Sequence, residues 1–166
     1  MTPFQLEAAR TTDAAAIAAL RSAVADDLTM KHGEGHWSHT ATEKGVRADM
    51  RRSTVYVARD HDRVVATLAL ATKKPWAIDR RYFSNVKRPL YMLSLAVDPP
   101  LQGQGIGRQC IDAAKVICRE WPADALCLDA YDTGAGAGEF YRKCGFTEVG
   151  RGIYRNMALI FFEMLM

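Results

Sequence analysis

The chain has 166 residues, 49% of them hydrophobic and 25% charged, which points to one globular domain with a real core and away from disordered or fibrous classes. Its net charge of +3 is too small to argue for nucleic acid, yet it does not oppose an anionic ligand. No apolar leader pattern opens the chain, and the apolar ending 157–166 is too short to span a bilayer and is broken by Glu163, so a cytoplasmic protein with no membrane partner is expected.

Phe4, Leu6 and Ala8 alternate with polar residues and predict a first strand. Thr12 and Asp13 offer N-cap chemistry to a helix whose Ile17, Leu20, Val24 and Leu28 recur at helical spacing, and Gly33 and Gly35 end it. Thr40-Ala41-Thr42-Glu43 has the capping-box pattern and opens a second helix, with Val46 and Met50 inward and Arg47, Arg51 and Arg52 outward. Strands are expected at 54–58 and 64–71, joined by the turn-forming Asp60-His61-Asp62-Arg63. A polar and aromatic segment, 73–89, then leads to a strand ending at Val97.

That strand runs into Asp98-Pro99-Pro100-Leu101-Gln102-Gly103-Gln104-Gly105-Ile106-Gly107-Arg108. Glycines at 103, 105 and 107 let the backbone turn tightly and bring bare N–H groups close to a ligand. The helix that follows adds unpaired amide donors and a partial positive charge at its start, so the loop is a seat for a phosphate or pyrophosphate. A dinucleotide fingerprint fails at its last glycine, and no G-K-[ST] follows, which argues against a Walker-type nucleotide loop.

Ile106, Cys110, Ala114, Ile117 and Trp121 mark one apolar face of the next helix, which Pro122 stops. A strand at 125–129, a glycine-rich stretch at 134–138 and a short helix at 139–144 follow, with Gly145 as its left-handed cap. Strands near 146–149 and 159–165 complete the chain. Nothing resembling a repeat or linker divides it, so residues 1–166 read as a single domain. The four cysteines form no C-x-x-C pair and read as free core thiols of a reducing compartment.

Gln102, Gly105 and Gly107 fill the three defining positions of the pattern Q/R-x-x-G-x-G/A, and Glu139–Phe146 contains Y-x-x-x-G-F at Tyr141, Gly145 and Phe146. With these two motifs in this order, the chain resembles the GNAT superfamily of acetyl-CoA-dependent N-acetyltransferases. The resemblance implies an α/β (α+β) fold in the order β-α-α-β-β-β-α-β-α-β-β: a mixed, mostly antiparallel sheet of about seven strands flanked by about four helices. It implies acetyl-CoA as cofactor, its arm along Leu95, Ala96 and Val97 and its pyrophosphate on the amides of Gln102, Gly103, Gln104, Gly105, Ile106, Gly107 and Arg108. Tyr141 is the implied general acid, protonating the departing thiolate, and a backbone N–H near 95–97 would meet the oxyanion. The family's asparagine some seven residues before the tyrosine is absent; Thr133-Gly134-Ala135-Gly136-Ala137-Gly138 stands there instead, as a mobile closing loop or a plain connection.

The implied reaction is direct transfer, within a ternary complex, to a primary amine of a small molecule, peptide or protein. A non-catalytic acyl-CoA binding module of the same fold is the alternative, and a nucleotide-binding protein of another fold a more remote one. Acceptor-site candidates are Glu34, His36 and Trp37 before the second helix, and Trp76 and Tyr82 in the 73–89 segment. Glu34, His36, Asp98 and Asp129 are alternative general bases. His32, His36 and His39 invite a metal, but the flanking glycines break the helix that would align them, and no metal is expected. The sequence leaves a homodimer open.

Overall fold

The computed structural model describes residues 4–166. In chain order the elements are β1 (Leu6–Ala8), α1 (Ala14–His32), α2 (Glu43–Arg52), β2 (Thr54–Asp60), β3 (Arg63–Ala71), β4 (Pro89–Val97), α3 (Ile106–Glu120), β5 (Ala125–Tyr131), α4 (Gly138–Lys143), β6 (Thr147–Tyr154) and β7 (Met157–Leu165). The strands form one seven-stranded sheet in the order β1-β2-β3-β4-β5-β7-β6. β1/β2, β2/β3, β5/β7 and β6/β7 are antiparallel, while β4 and β5 are parallel over Pro89–Tyr91 and Ala125–Cys127. This is the expected mixed, mostly antiparallel sheet with four helices in the expected order.

The chain divides into two compact units, one formed by the chain through Ala71 with Leu93–Ala114, the other by Thr72–Met92 with Lys115–Met166. In the first, Ile17 and Leu20 of α1 and Val46 of α2 pack with Val55 and Val57 of β2 and Val64 and Ala69 of β3. In the second, Leu126 and Leu128 of β5 and Phe161 and Phe162 of β7 are almost wholly buried. Each such side chain contributes roughly 1.5–3 kcal/mol of transfer free energy.

Helix starts differ from the sequence expectation in an instructive way. Asp13 makes no forward cap; its carboxylate turns back to accept the Arg10 N–H (2.7 Å) and a guanidinium N–H of Arg59 (2.9 Å), over a short 3-10 turn at Thr11–Asp13. The capping box expected at Thr40 is displaced: Thr42 is the N-cap, its Oγ1 accepting the Gly45 N–H at 3.1 Å, and Glu43 instead pairs with Arg47 at 2.8 Å. Thr42 wins because Ala41 is held by Ser22, whose Oγ accepts the Ala41 N–H (3.1 Å) and donates to its C=O (3.2 Å). Trp121, expected on the apolar face of α3, lies beyond the helix end and is 42% exposed; Cys110, Ile111, Ala114 and Cys118 form the buried stripe. β5, β6 and the hairpin at β2/β3 all run longer than expected, because ladder pairing continues to Tyr131, to Tyr154 and to Asp60↔Arg63.

Candidate active site

The glycine loop belongs to the first unit. β4 carries a left-handed residue that is not glycine, Ser94 at φ +55, within the strand just before Leu95–Val97. Such a conformation is uncommon outside glycine and re-aims the backbone groups that follow. A 3-10 turn at Pro99–Leu101 then brings the chain around, and Gln102 secures it by donating from Nε2 to the Val97 C=O at 3.0 Å. Gln104 donates likewise to the Pro100 C=O at 3.3 Å.

Gly103 and Gly105 stand at φ +78 and +86, and a Cβ on either would meet nothing within 4 Å. The glycines are therefore required by backbone conformation, and the loop face they leave is open. Residues 102–105 are exposed, and the first intrahelical bond of α3 is Gln109 N–H to Gly105 C=O at 3.1 Å. The amides of Ile106 and Gly107 thus lie ahead of the helical ladder, where the dipole favours an anion. An exposed run of amides at a helix start, bare of side chains at Gly103 and Gly105, fits a diphosphate. Arg108 is exposed in the same first turn.

Tyr141 lies in the second unit, on α4, with Gly145 at φ +94 directly after the helix. Its ring is enclosed by Phe140, Phe146 and Phe162, at centroid distances of 5.3, 5.7 and 5.8 Å, and only 8% of the residue is exposed. Among the described residues no group hydrogen-bonds its hydroxyl. Burial, with Asp129 and Cys144 adding smaller contributions, pushes its pKa far above the usual tyrosine value. Tyr141 therefore keeps its proton at neutral pH.

Asp129, on β5, lies opposite Phe161 of β7, and burial raises its carboxyl above the ordinary aspartate value. Asp98 is differently placed: Arg63 pairs with it at 2.8 Å, and its N–H donates to the Val65 C=O at 2.9 Å. That makes Asp98 a brace for the loop entrance. Burial pushes the thiols of Cys110, Cys118 and Cys127 up to about 11, and all four cysteines are buried and outside any disulfide. Thiols with that character are not nucleophiles at neutral pH.

The acceptor candidates fall into two groups. Glu34 and His36 are exposed in the turn after α1, where Trp37 has a local role: its Nε1 donates to the Gly33 C=O at 2.9 Å and its ring covers Gly35. Trp76 and Tyr82 come together in the second unit, where they line one cavity of about 480 Å³ with Phe161 at its floor. Among the described residues no group of three or more His, Cys, Asp or Glu is placed to hold a metal, and no helix is long and apolar enough to cross a membrane.

The sequence marks Glu163 only as a break in the apolar ending and gives no sign that its partner is Ser84. Glu163 is 6% exposed and accepts both the Ser84 N–H (3.0 Å) and its Oγ–H (2.5 Å), fastening the 72–88 segment to β7. A carboxylate inside an apolar strand was a legible sign of a buried polar partner; Ser94 offered no such sign.

A family model described as an acetyltransferase (GNAT) domain matches residues 51–148, which include the glycine loop, Asp129 and Tyr141. The chain belongs to the GNAT acetyltransferase family. This GNAT chain resembles, in fold, a GCN5-related N-acetyltransferase of Rhodopseudomonas palustris: 20% identity, TM-score 0.74, covering 100% of this chain and 98% of that one. An acetyltransferase of Salmonella typhimurium, solved with its cofactor acetyl-CoA, is 17% identical with a TM-score of 0.69 and covers 99% and 94% of the two chains. The ribosomal-protein-S18-alanine N-acetyltransferase of Escherichia coli is 16% identical with a TM-score of 0.72, covering 98% and 93%. No curated protein matches the chain.

Proposed function

We propose that the chain transfers an acetyl group from acetyl-CoA to a primary amine of a small molecule, peptide or protein, by direct attack in a ternary complex, with residues 1–166 acting as one N-acetyltransferase domain. Tyr141 carries this reading: a buried tyrosine at the family's motif position, protonated at neutral pH, whose hydroxyl is claimed by no group among the described residues.

Acetyl-CoA supplies the activated acetyl group as a thioester. The amides from Gly103 to Gly107 bind its diphosphate, the Gln102 N–H expected among them being given instead to the Pro99 C=O at 3.2 Å; Arg108 adds charge, and Leu95, Ala96 and Val97 hold its arm. Tyr141 donates its proton to the departing sulfur. An amine with a pKa near about 10.4 arrives protonated at neutral pH and must lose that proton to attack. Asp129 receives it, its buried carboxyl held above the ordinary aspartate value. The protonated thiols of the core support transfer without a covalent carrier, and four cysteines outside any disulfide fit a reducing cytoplasm. The Escherichia coli neighbour is named for an N-acetyltransferase activity, which supports an amine as acceptor.

Thiol release from acetyl-CoA across a panel of amines, with mass analysis of the products, tests the reading in wild type and Tyr141→Phe. Acetylated amine from wild type and a collapse of rate in the variant are expected. Tight coenzyme A binding with no product on any amine would leave the sensing module in its place.

A further inference from the structure

The cavity over Phe161 uses side chains that diphosphate binding does not need. Tyr82 stacks on the Phe161 ring with centroids 5.4 Å apart. Gly150 permits this, because a Cβ there would stand 2.3 Å from Cδ1 of Tyr82. Tyr82 is thus a fixed wall, still 44% exposed, and Trp76 of the same cavity is 82% exposed. With Ile153 at 80%, three large apolar side chains are held in water around one cavity, the arrangement that marks a binding site. Its volume of about 480 Å³ suits a small molecule.

The charge of the lining is one-sided. Lys74, Arg80 and Arg81 face a single acid, Asp79, which Arg81 already pairs at 2.6 Å. Arg80 gives its guanidinium to the Ser84 C=O (2.7 Å) and to Cys127 Sγ (3.4 Å). Lys74 Nζ donates to the carbonyls of Pro75 (3.0 Å) and Ile78 (2.8 Å), leaving one of an ammonium's three donors. Asp129 is not part of the lining, but it pairs in register with Phe161, which is, and cross-strand partners share a face of the sheet.

We propose that this cavity holds the body of the acceptor and that the acceptor is an aromatic amino acid, its ring between Trp76 and Tyr82, its carboxylate on Lys74 and its α-amine toward Asp129. Two ring faces select a flat group. The surplus of cations selects an anion and disfavours a polyamine, and the carboxylate beside the floor selects an amine. The proposal rests on the acetyl-transfer reading above, in that it names the substrate class for the same reaction.

Titration calorimetry of the full chain with L-phenylalanine, in the presence of coenzyme A, measures the binding directly. Binding is expected, weakened about tenfold in Trp76→Ala and in Lys74→Gln, and about tenfold weaker for L-phenylalaninamide, which lacks the carboxylate. Gly150→Val, which displaces Tyr82, should abolish it while coenzyme A binding persists. No heat with L-phenylalanine, or equal heats in wild type and Trp76→Ala, overturns the proposal; acetylation of other amines would leave the transfer reading standing. Binding that depends on Trp76 without formation of N-acetylphenylalanine overturns it too, the cavity then holding an effector.

Discussion

Tyr141 packs on Phe162 of β7 at 5.8 Å, whereas the preceding residue, Phe161, carries Tyr82 at 5.4 Å. Successive strand residues face opposite sides of a sheet, so β7 supports the candidate proton donor on one face and the aromatic cavity on the other. Asp129 shares the Phe161 side through its register. Two consecutive residues of one strand thereby support Tyr141 and Tyr82.

Replacing Tyr141 by Phe should lower kcat by about 10²–10⁴-fold, the usual contribution of a positioned general acid. The ring packing survives, so acetyl-CoA affinity and thermal stability should change little. Steady-state kinetics beside calorimetry with coenzyme A check both halves, and an unchanged kcat would remove Tyr141 from the chemistry.

Gly105→Ala should act through the backbone alone. At φ +86 an L side chain costs about 1–2 kcal/mol, and no neighbour adds a clash. The loop must relax to escape that strain, so the KM for acetyl-CoA should rise while the acceptor KM holds. Measuring the two constants separately shows whether the loop serves the cofactor.

Asp129→Asn should raise thermal stability at pH 7–8 even as it lowers kcat/KM. Burial raises the folded pKa above the unfolded value, about 3.9, so between the two the native state binds more protons and stability falls as pH rises. Above the folded value the full penalty of an ionised buried carboxylate is present, and asparagine removes it. Melting curves should separate wild type from variant at neutral pH and converge below about pH 4, where the carboxyl is protonated in both states.

Ser84→Ala leaves the buried Glu163 carboxylate with the backbone N–H alone. A destabilisation of about 1–3 kcal/mol is expected in urea unfolding, because a desolvated charge loses a partner. Glu163→Gln, which can still accept from Ser84, should cost less than Glu163→Leu. Equal losses in both would show that packing and not hydrogen bonding holds the segment.

Much of the fold was legible because its cues are local. Helical spacing marked α1 and α2, Gly33 and Gly145 marked helix ends, and the glycine loop declared a helix start. Boundaries were less legible. Thr40 and Thr42 are equivalent as caps until Ser22 of α1 binds Ala41, and Trp121 looks apolar until the helix has already ended. The Asp98 carboxylate reads as a free base in sequence and is held by Arg63, distant along the chain.

By itself the sequence determined the order of elements, the glycine loop and the tyrosine motif, since each depends on neighbours within a few positions, where backbone conformation is set by residue type. Only the tertiary structure decided that Asp129 faces Phe161, that Glu163 fastens Ser84, and that Trp76 and Tyr82 share a cavity. Those relationships depend on strand register and burial, which the whole chain sets at once and no short window contains.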